Sequence, residues 1–153
     1  AKGDYEQQKF LLTEGLRQLQ AQEILMFDNT FRYYRGNLFQ GHLWSAVKIV
    51  RMECSDDCFS DFRGWLIGQG KKTMESVLRN PDSLVEISGF NSEAWEGLSY
   101  CALIAYQDKT GNEMPMGLGE NVHLEGDFVD KDTLRNTFPR LWKSYRQEDM
   151  QNY

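Results

Sequence analysis

The sequence is poor in the residues that form disulfides and that break helices and strands, with 3 Cys and 3 Pro in 153 residues. An odd number of cysteines leaves at least one unpaired, which argues against a disulfide scaffold and favours a reducing compartment. No apolar run approaches the ~18 residues that a membrane span needs. The N-terminal AKGDYEQQKF is too polar for a signal peptide. We therefore expect a cytoplasmic bacterial protein that does not associate with membranes.

Positive charge is also scarce, with 17 Lys and Arg against 23 Asp and Glu and a net charge of −6. Because Lys and Arg supply most of the affinity for phosphate backbones, nucleic acid and anionic membranes are poor partners. Residues 108–132 carry seven carboxylates against two lysines, or −5 of that charge. This segment is either a solvated loop or a docking surface for a basic partner. The candidate surface residues are Glu113, Glu120, Glu125, Asp127 and Asp130.

Helical periodicity dominates the chain, and 13% of its residues are aromatic. The pattern predicts a mainly α fold, namely a compact single domain (1–153) of six to eight helices with a long acidic loop near the C-terminus. The clearest helix covers 22–39. Residues 42–52 are apolar on nearly all sides and predict a central helix, with a buried strand as the alternative. Ser55 is expected to cap the next helix.

The segment from Cys54 to Gly70 holds the densest set of polar side chains beside an aromatic helix face. Its first three carboxylates lie within six residues, and two of them, Asp57 and Asp61, are spaced to project from one helix face. Such a pair can raise one pKa and support acid–base chemistry, although acids in a first turn also simply complement the helix dipole. The candidate ligand or partner residues are Asp56, Asp57, Asp61, Arg63 and Trp65; no catalytic residue is identified.

Two further patterns in this region are too incomplete to predict a site. Cys54 and Cys58 have no second cysteine pair, and the chain has only 2 His, so we predict no metal and interpret the cysteines as small buried hydrophobes. Gly68-x-Gly70-Lys71-Lys72 lacks the spacing of a phosphate-binding P-loop. We interpret these lysines as a solvated helix face, and we predict no cofactor.

The run CSDDCFSDFRGWLIGQG, followed by Asn80-Pro81-Asp82-Ser83-Leu84, resembles a bacterial family described as domain of unknown function 4240. The similarity extends over about residues 10–145 and includes Phe138-Pro139-Arg140-Leu141-Trp142. It implies a soluble, mainly helical bacterial domain and supplies no reaction, cofactor or catalytic residue. The family pattern often has a small residue at the position of Cys58, which weakens a functional role for that thiol.

These observations favour a non-catalytic protein-binding module of the immunity or regulatory type, with a protein partner that is basic where it meets the acidic segment. The alternative is an enzyme or small-ligand-binding protein with a polar pocket on the Ser55–Gly70 helix. That alternative requires Asp57 and Arg63 to face a shared cavity.

Overall fold

The computed structural model describes residues 4–87, 89–90, 95–115, 117 and 123–146. Within these ranges it contains eight α-helices and no β-strand, so the predicted mainly α fold is confirmed. The helices are α1 (Tyr5–Arg17), α2 (Ala21–Asn37), α3 (Gly41–Val50), α4 (Asp56–Gly68), α5 (Lys71–Arg79), α6 (Cys101–Thr110), α7 (Leu134–Thr137) and α8 (Pro139–Tyr145). Short 3₁₀ segments cover Pro81–Glu86, Leu98–Tyr100 and Lys131–Thr133.

The helix starts follow local capping chemistry. Asp4 accepts a hydrogen bond from the Gln7 amide at 3.0 Å, and Ser55 accepts one from the Cys58 amide at 3.3 Å. Each bond satisfies one of the amides that a helix leaves unpaired at its N-terminus. The sequence also predicts the Asp4 cap, with Gln7 three residues later as in a capping box, so the Asp4 and Ser55 caps are both confirmed.

The segment that was open between helix and strand is the helix α3. Leu43, Ala46, Val47 and Ile49 on α3 are at most 2% exposed, which explains why its sequence is apolar on most sides. α3 packs in the main core with the stripe Phe59, Phe62 and Leu66 of α4, each of which is fully buried. α3 and α4 therefore form the centre of the fold.

A second cluster joins α1, α2 and α6. Its buried residues include Leu16, Ile24, Phe31, Ala102 and Ala105. The spacing of Trp95, Leu98, Ala102 and Ala105 in the sequence predicts a last long helix capped by Asn91 or Ser92, but the α-helix begins later, at Cys101. Residues 91–94 lie outside the described ranges. The small side chains on α6 bring it close to α1 and α2, so these three helices pack as a unit beside the main core.

The C-terminal helices are attached through one buried carboxylate. Asp82, which is 5% exposed, accepts hydrogen bonds from the backbone amides of Arg140 (3.1 Å) and Leu141 (2.8 Å) at the start of α8. The sequence predicts that Pro139 either breaks the final helix in two or starts its second part, and Pro139 begins α8 in the structure. Among the helices of the described ranges, none combines the length and the apolar character that crossing a bilayer requires.

Candidate functional site

The first turn of α4 carries two of the predicted site residues in solvent. Asp56 and Asp57 are exposed and follow the Ser55 cap. Their negative charges lie at the positive end of the helix dipole, an arrangement that contributes roughly 0.3–1 kcal/mol per residue. Both carboxylates remain accessible to a partner.

A disulfide joins Cys54 and Cys58 across this helix start. The interpretation of both residues as separate reduced hydrophobes is therefore wrong. Cys54 precedes the helix cap in a non-helical conformation, which brings the two Cα atoms to 5.2 Å, within the range of a disulfide. The bond removes the cysteine argument for a reducing compartment. Cys101 is the free cysteine, and it is buried.

Asp61 is partly buried one turn further along α4. Burial raises the pKa of this carboxyl above its ordinary value, and the negative charges of Glu96 and Asp57 raise it further, while Arg35 and Arg51 act in the opposite direction. The predicted pairing of Asp61 with Asp57 thus exists electrostatically. Glu96, Arg35 and Arg51 come from other parts of the chain, and no spacing in the sequence indicated them.

Arg63 is only 5% exposed and lies inside the protein. Its Nη1 donates to the carbonyl of Arg35 at 2.9 Å, near the end of α2. Its guanidinium carbon lies 4.6 Å from the ring centre of Phe39 and 5.1 Å from that of Phe59. Arg63 therefore binds the negative end of the α2 dipole and stacks between two rings, a role for which the planar guanidinium is well suited.

Trp65 is 2% exposed and packs among aromatic rings, including those of Phe62, Phe90 and Trp95. Arg63 and Trp65 thus connect structural elements, whereas Asp56 and Asp57 point to solvent. The alternative interpretation requires Asp57 and Arg63 to face one cavity. Asp57 is exposed to solvent and Arg63 is buried in the protein, so this condition is not met.

Much of the acidic segment is held against α3. The backbone of Glu125 exchanges hydrogen bonds with Phe39 and Gly41, both at 2.9 Å, and the Val129 amide donates to Ser45 Oγ at 2.9 Å. A Cβ atom at position 41 would lie 2.5 Å from the Asp127 carbonyl oxygen, which is too close. Glycine at this position therefore allows the acidic segment to pack against the start of α3. The side chains of Glu113, Glu125, Asp127 and Asp130 are exposed, and Glu120 lies outside the described residues.

A cavity lies elsewhere, between α1 and α2 on one side and α5 with the Pro81–Glu86 segment on the other. We call it the α1–α5 cleft; its volume is about 1170 Å³. From α1 and α2 it is lined by Leu11, Leu12, Phe27, Phe31 and Tyr34, among others. Leu11 is 54% exposed and Tyr34 39% exposed, so the cleft is open to solvent along this apolar side.

The other side of the cleft is polar. Its lining includes Lys72, Thr73, Ser76, Ser83 and Glu86. The end of α4 reaches the cleft through Ile67, Gly68 and Gln69, and Gln8 of α1 donates to the Gly68 carbonyl at 2.7 Å. The cleft therefore sits at the opposite end of α4 from the predicted carboxylates, and none of the five predicted residues on that helix lines it.

The charged residues among the described lining of the cleft are Lys72 and Glu86, and that lining includes no His, Cys or Asp. Its remaining polar groups are hydroxyls, among them those of Thr73, Ser76 and Ser83, and the amides of Gln8 and Gln69. No group of three His, Cys, Asp or Glu side chains suited to a metal occurs anywhere in the described ranges.

A family model described as "Protein of unknown function (DUF4240)" matches residues 1–108, which are 108 of the 153 residues. The match includes the whole Cys54–Gly70 run and ends within α6, so the Phe138–Trp142 stretch of the resemblance lies beyond it. No curated protein and no solved structure matches the chain significantly.

Proposed function

The chain belongs to the DUF4240 family of proteins of unknown function, and we propose that it is a non-catalytic protein-binding module that holds a helical segment of its partner in the α1–α5 cleft. The observation that carries this proposal is the size and lining of the cleft. Its apolar side exposes Leu11 and Tyr34 on helices whose Leu16, Ile24 and Phe31 pack into a core. Exposed apolar surface arranged in a groove is typical of helix-binding proteins.

The dimensions of the cleft fit a short helix. A volume of about 1170 Å³ equals a cylinder about 10 Å wide and about 15 Å long, which corresponds to about ten residues of α-helix. This exceeds the roughly 300–1000 Å³ of typical small-molecule pockets. A partner helix with apolar residues at i, i+3, i+4 and i+7 would present two of its turns to α1 and α2.

Two neighbouring residues of α1 provide a matched test. Phe10 is 58% exposed and Leu11 54% exposed, but Leu11 alone lines the cleft. A fluorescein-labelled amphipathic helical peptide of about 14 residues, with leucines on one face, is titrated with the protein and followed by anisotropy. Covering about half of a leucine side chain contributes about 1 kcal/mol or slightly more, so Leu11→Gln should weaken binding about five- to tenfold.

Phe10→Gln should leave the affinity within about twofold. Equal losses in both variants would mean that the peptide binds a general apolar surface, and the cleft would then not be the binding site. The same pair applies to a native partner once it is purified: a partner that binds Leu11→Gln as tightly as the wild type also contradicts the proposal.

A second contact, with a basic surface of a partner, is supported by the anchoring of the acidic segment. Because Glu125, Asp127 and Asp130 extend from backbone that is hydrogen-bonded to α3 and its flanks, their charges are held in place before binding, which favours rapid association with a positive surface. Neutralising all three to amides should slow association and reduce its salt dependence. Neutralising the exposed Glu6, Glu53 and Glu75 instead should have a smaller effect.

The alternative, a ligand or catalytic pocket on the Ser55–Gly70 helix, is reduced to the accessible carboxylates Asp56, Asp57 and Asp61. It draws support from the raised pKa of Asp61 beside Asp57 and Glu96. A small ligand bound there would lose affinity in Asp61→Asn and would be unaffected by Leu11→Gln, which separates this alternative from the cleft.

A further inference from the structure

The two charged residues that line the α1–α5 cleft differ in their surroundings. Glu86 is paired with Arg140, whose Nη2 lies 2.9 Å from the glutamate Oε1. Lys72, on the same side of the cleft as Glu86, has no ion pair with any described residue. Because Arg140 compensates the charge of Glu86, the positive charge of Lys72 is the one that remains uncompensated among the described lining of the cleft.

Hydroxyl groups lie on both sides of the cleft. Thr73 and Ser76 follow Lys72 on α5, whereas Thr30 and Tyr34 lie on α2. The hydroxyl oxygen of Ser83, on the 3₁₀ segment, is shielded from solvent, so a partner cannot reach it directly. Lys72 is therefore the charged group through which the α5 side of the cleft can select a partner.

The start of α5 adds to the positive character. Gly70 precedes it and provides no side-chain cap, and its first turn contains no acidic residue. An acidic residue is the usual complement of the dipole at this position, yet two lysines occupy it. An anion from a partner would offset the charge of Lys72, the dipole and the missing cap together.

We infer that the segment held in the cleft is an acidic amphipathic helix: its apolar face contacts Leu11, Phe27 and Tyr34, and a carboxylate at the edge of that face lies beside Lys72. This inference rests on the proposed function and names the chemistry of the partner segment. The apolar side of the cleft selects the face of the helix, and the polar side selects its charge.

The test uses three labelled peptides of about 14 residues with the same leucine face and with Glu, Gln or Lys at the flanking positions. Each is titrated by anisotropy at low ionic strength against the wild type, Lys72→Glu and the matched control Lys71→Glu. Lys71 is the neighbouring lysine; its side chain is 77% exposed and does not line the cleft. Both substitutions have the same effect on the α5 dipole.

We expect the wild type to bind the Glu peptide at least fivefold more tightly than the Lys peptide, because an accessible ion pair contributes up to about a fivefold change in affinity and the Lys peptide replaces attraction by repulsion. Lys72→Glu should reverse that order, and Lys71→Glu should preserve it.

An order of affinities that is the same in the wild type and in Lys72→Glu would overturn the inference. The proposed function fails separately: if Leu11→Gln does not weaken any of the three peptides, or if none of them binds, the cleft does not hold a helix. If Leu11→Gln weakens all three equally while Lys72→Glu changes nothing, the cleft binds helices without selecting acidic ones.

Discussion

Replacing Asp82 by alanine should destabilise the protein more than replacing any exposed carboxylate. Asp82 is 5% exposed and accepts the amides of Arg140 and Leu141 with its two carboxylate oxygens. Hydrogen bonds to a charged group contribute about 1.5–3 kcal/mol each. Taking the lower value for both, because the short helix α8 can adjust, we expect a loss of about 3 kcal/mol.

The measurement is equilibrium unfolding in urea, followed by tryptophan fluorescence and by circular dichroism. With a slope of about 2 kcal/mol per molar for a protein of this size, a loss of about 3 kcal/mol lowers the midpoint by about 1.5 M. Asp82→Asn keeps one carbonyl oxygen as an acceptor and should lose about half as much. Asp132→Ala removes an exposed carboxylate and should change the midpoint little.

The same substitution also connects stability to the cleft, because Ser83 and Glu86 of the cleft follow Asp82 in the same 3₁₀ segment. Asp82→Ala should therefore weaken peptide binding at urea concentrations where the protein is still folded. If Asp82→Ala is within about 0.5 kcal/mol of Asp132→Ala, then the carboxylate does not hold α8 in place, and the reasoning from its two short hydrogen bonds is wrong.

Three further predictions concern α4. Reducing the Cys54–Cys58 disulfide, or replacing both cysteines by serine, should lower the free energy of unfolding by about 2 kcal/mol, since the closed loop is short. In urea unfolding, a thiol reductant should lower the midpoint of the wild type and leave that of the serine variant unchanged. The pKa of Asp61 is raised in the folded state, so ionisation of this carboxyl destabilises the folded protein above that pKa. Asp61→Asn should therefore stabilise the protein at pH 7 and show no such gain at about pH 3, where the carboxyl is protonated in both states. An equal gain at both pH values would refute this. Arg63→Ala should cost about 3 kcal/mol in thermal or urea unfolding through the lost hydrogen bond to the α2 carbonyl and the lost ring contacts, whereas the exposed control Arg79→Ala should be near neutral.

The sequence predicted well those features that depend on neighbours along the chain. The Ser55 cap, the buried stripe on α4 and the start of a helix at Pro139 each follow from side chains within about four residues. The choice of helix for α3 was also correct. The start of α6 was predicted too early because the apolar spacing continues back to Trp95, whereas Gly97 adopts a φ of 113° that no α-helix contains.

The candidate site was predicted only in part, and the reason is the distance along the chain between its members. Asp57 and Asp61 interact as their spacing suggested, but Glu96 approaches Asp61 through the fold. Arg63 was expected to face a cavity shared with Asp57, but it lies inside the protein. Its burial depends on the Arg35 carbonyl at the end of α2, the ring of Phe39 after that helix and the ring of Phe59 on α4, which surround it only after the helices pack.

By itself the sequence determined the helical class, the positions of most helices and the acidic character of residues 108–132, because helix periodicity, capping and charge are local properties. Tertiary structure alone decided the disulfide, the burial of Arg63 and the α1–α5 cleft. The cleft brings Leu11 and Tyr34 near Lys72 and Ser83, residues tens of positions apart, and no local pattern encodes a space between helices. Lys72 was interpreted as part of a solvated face, and its position beside that space is what gives it a proposed role in binding.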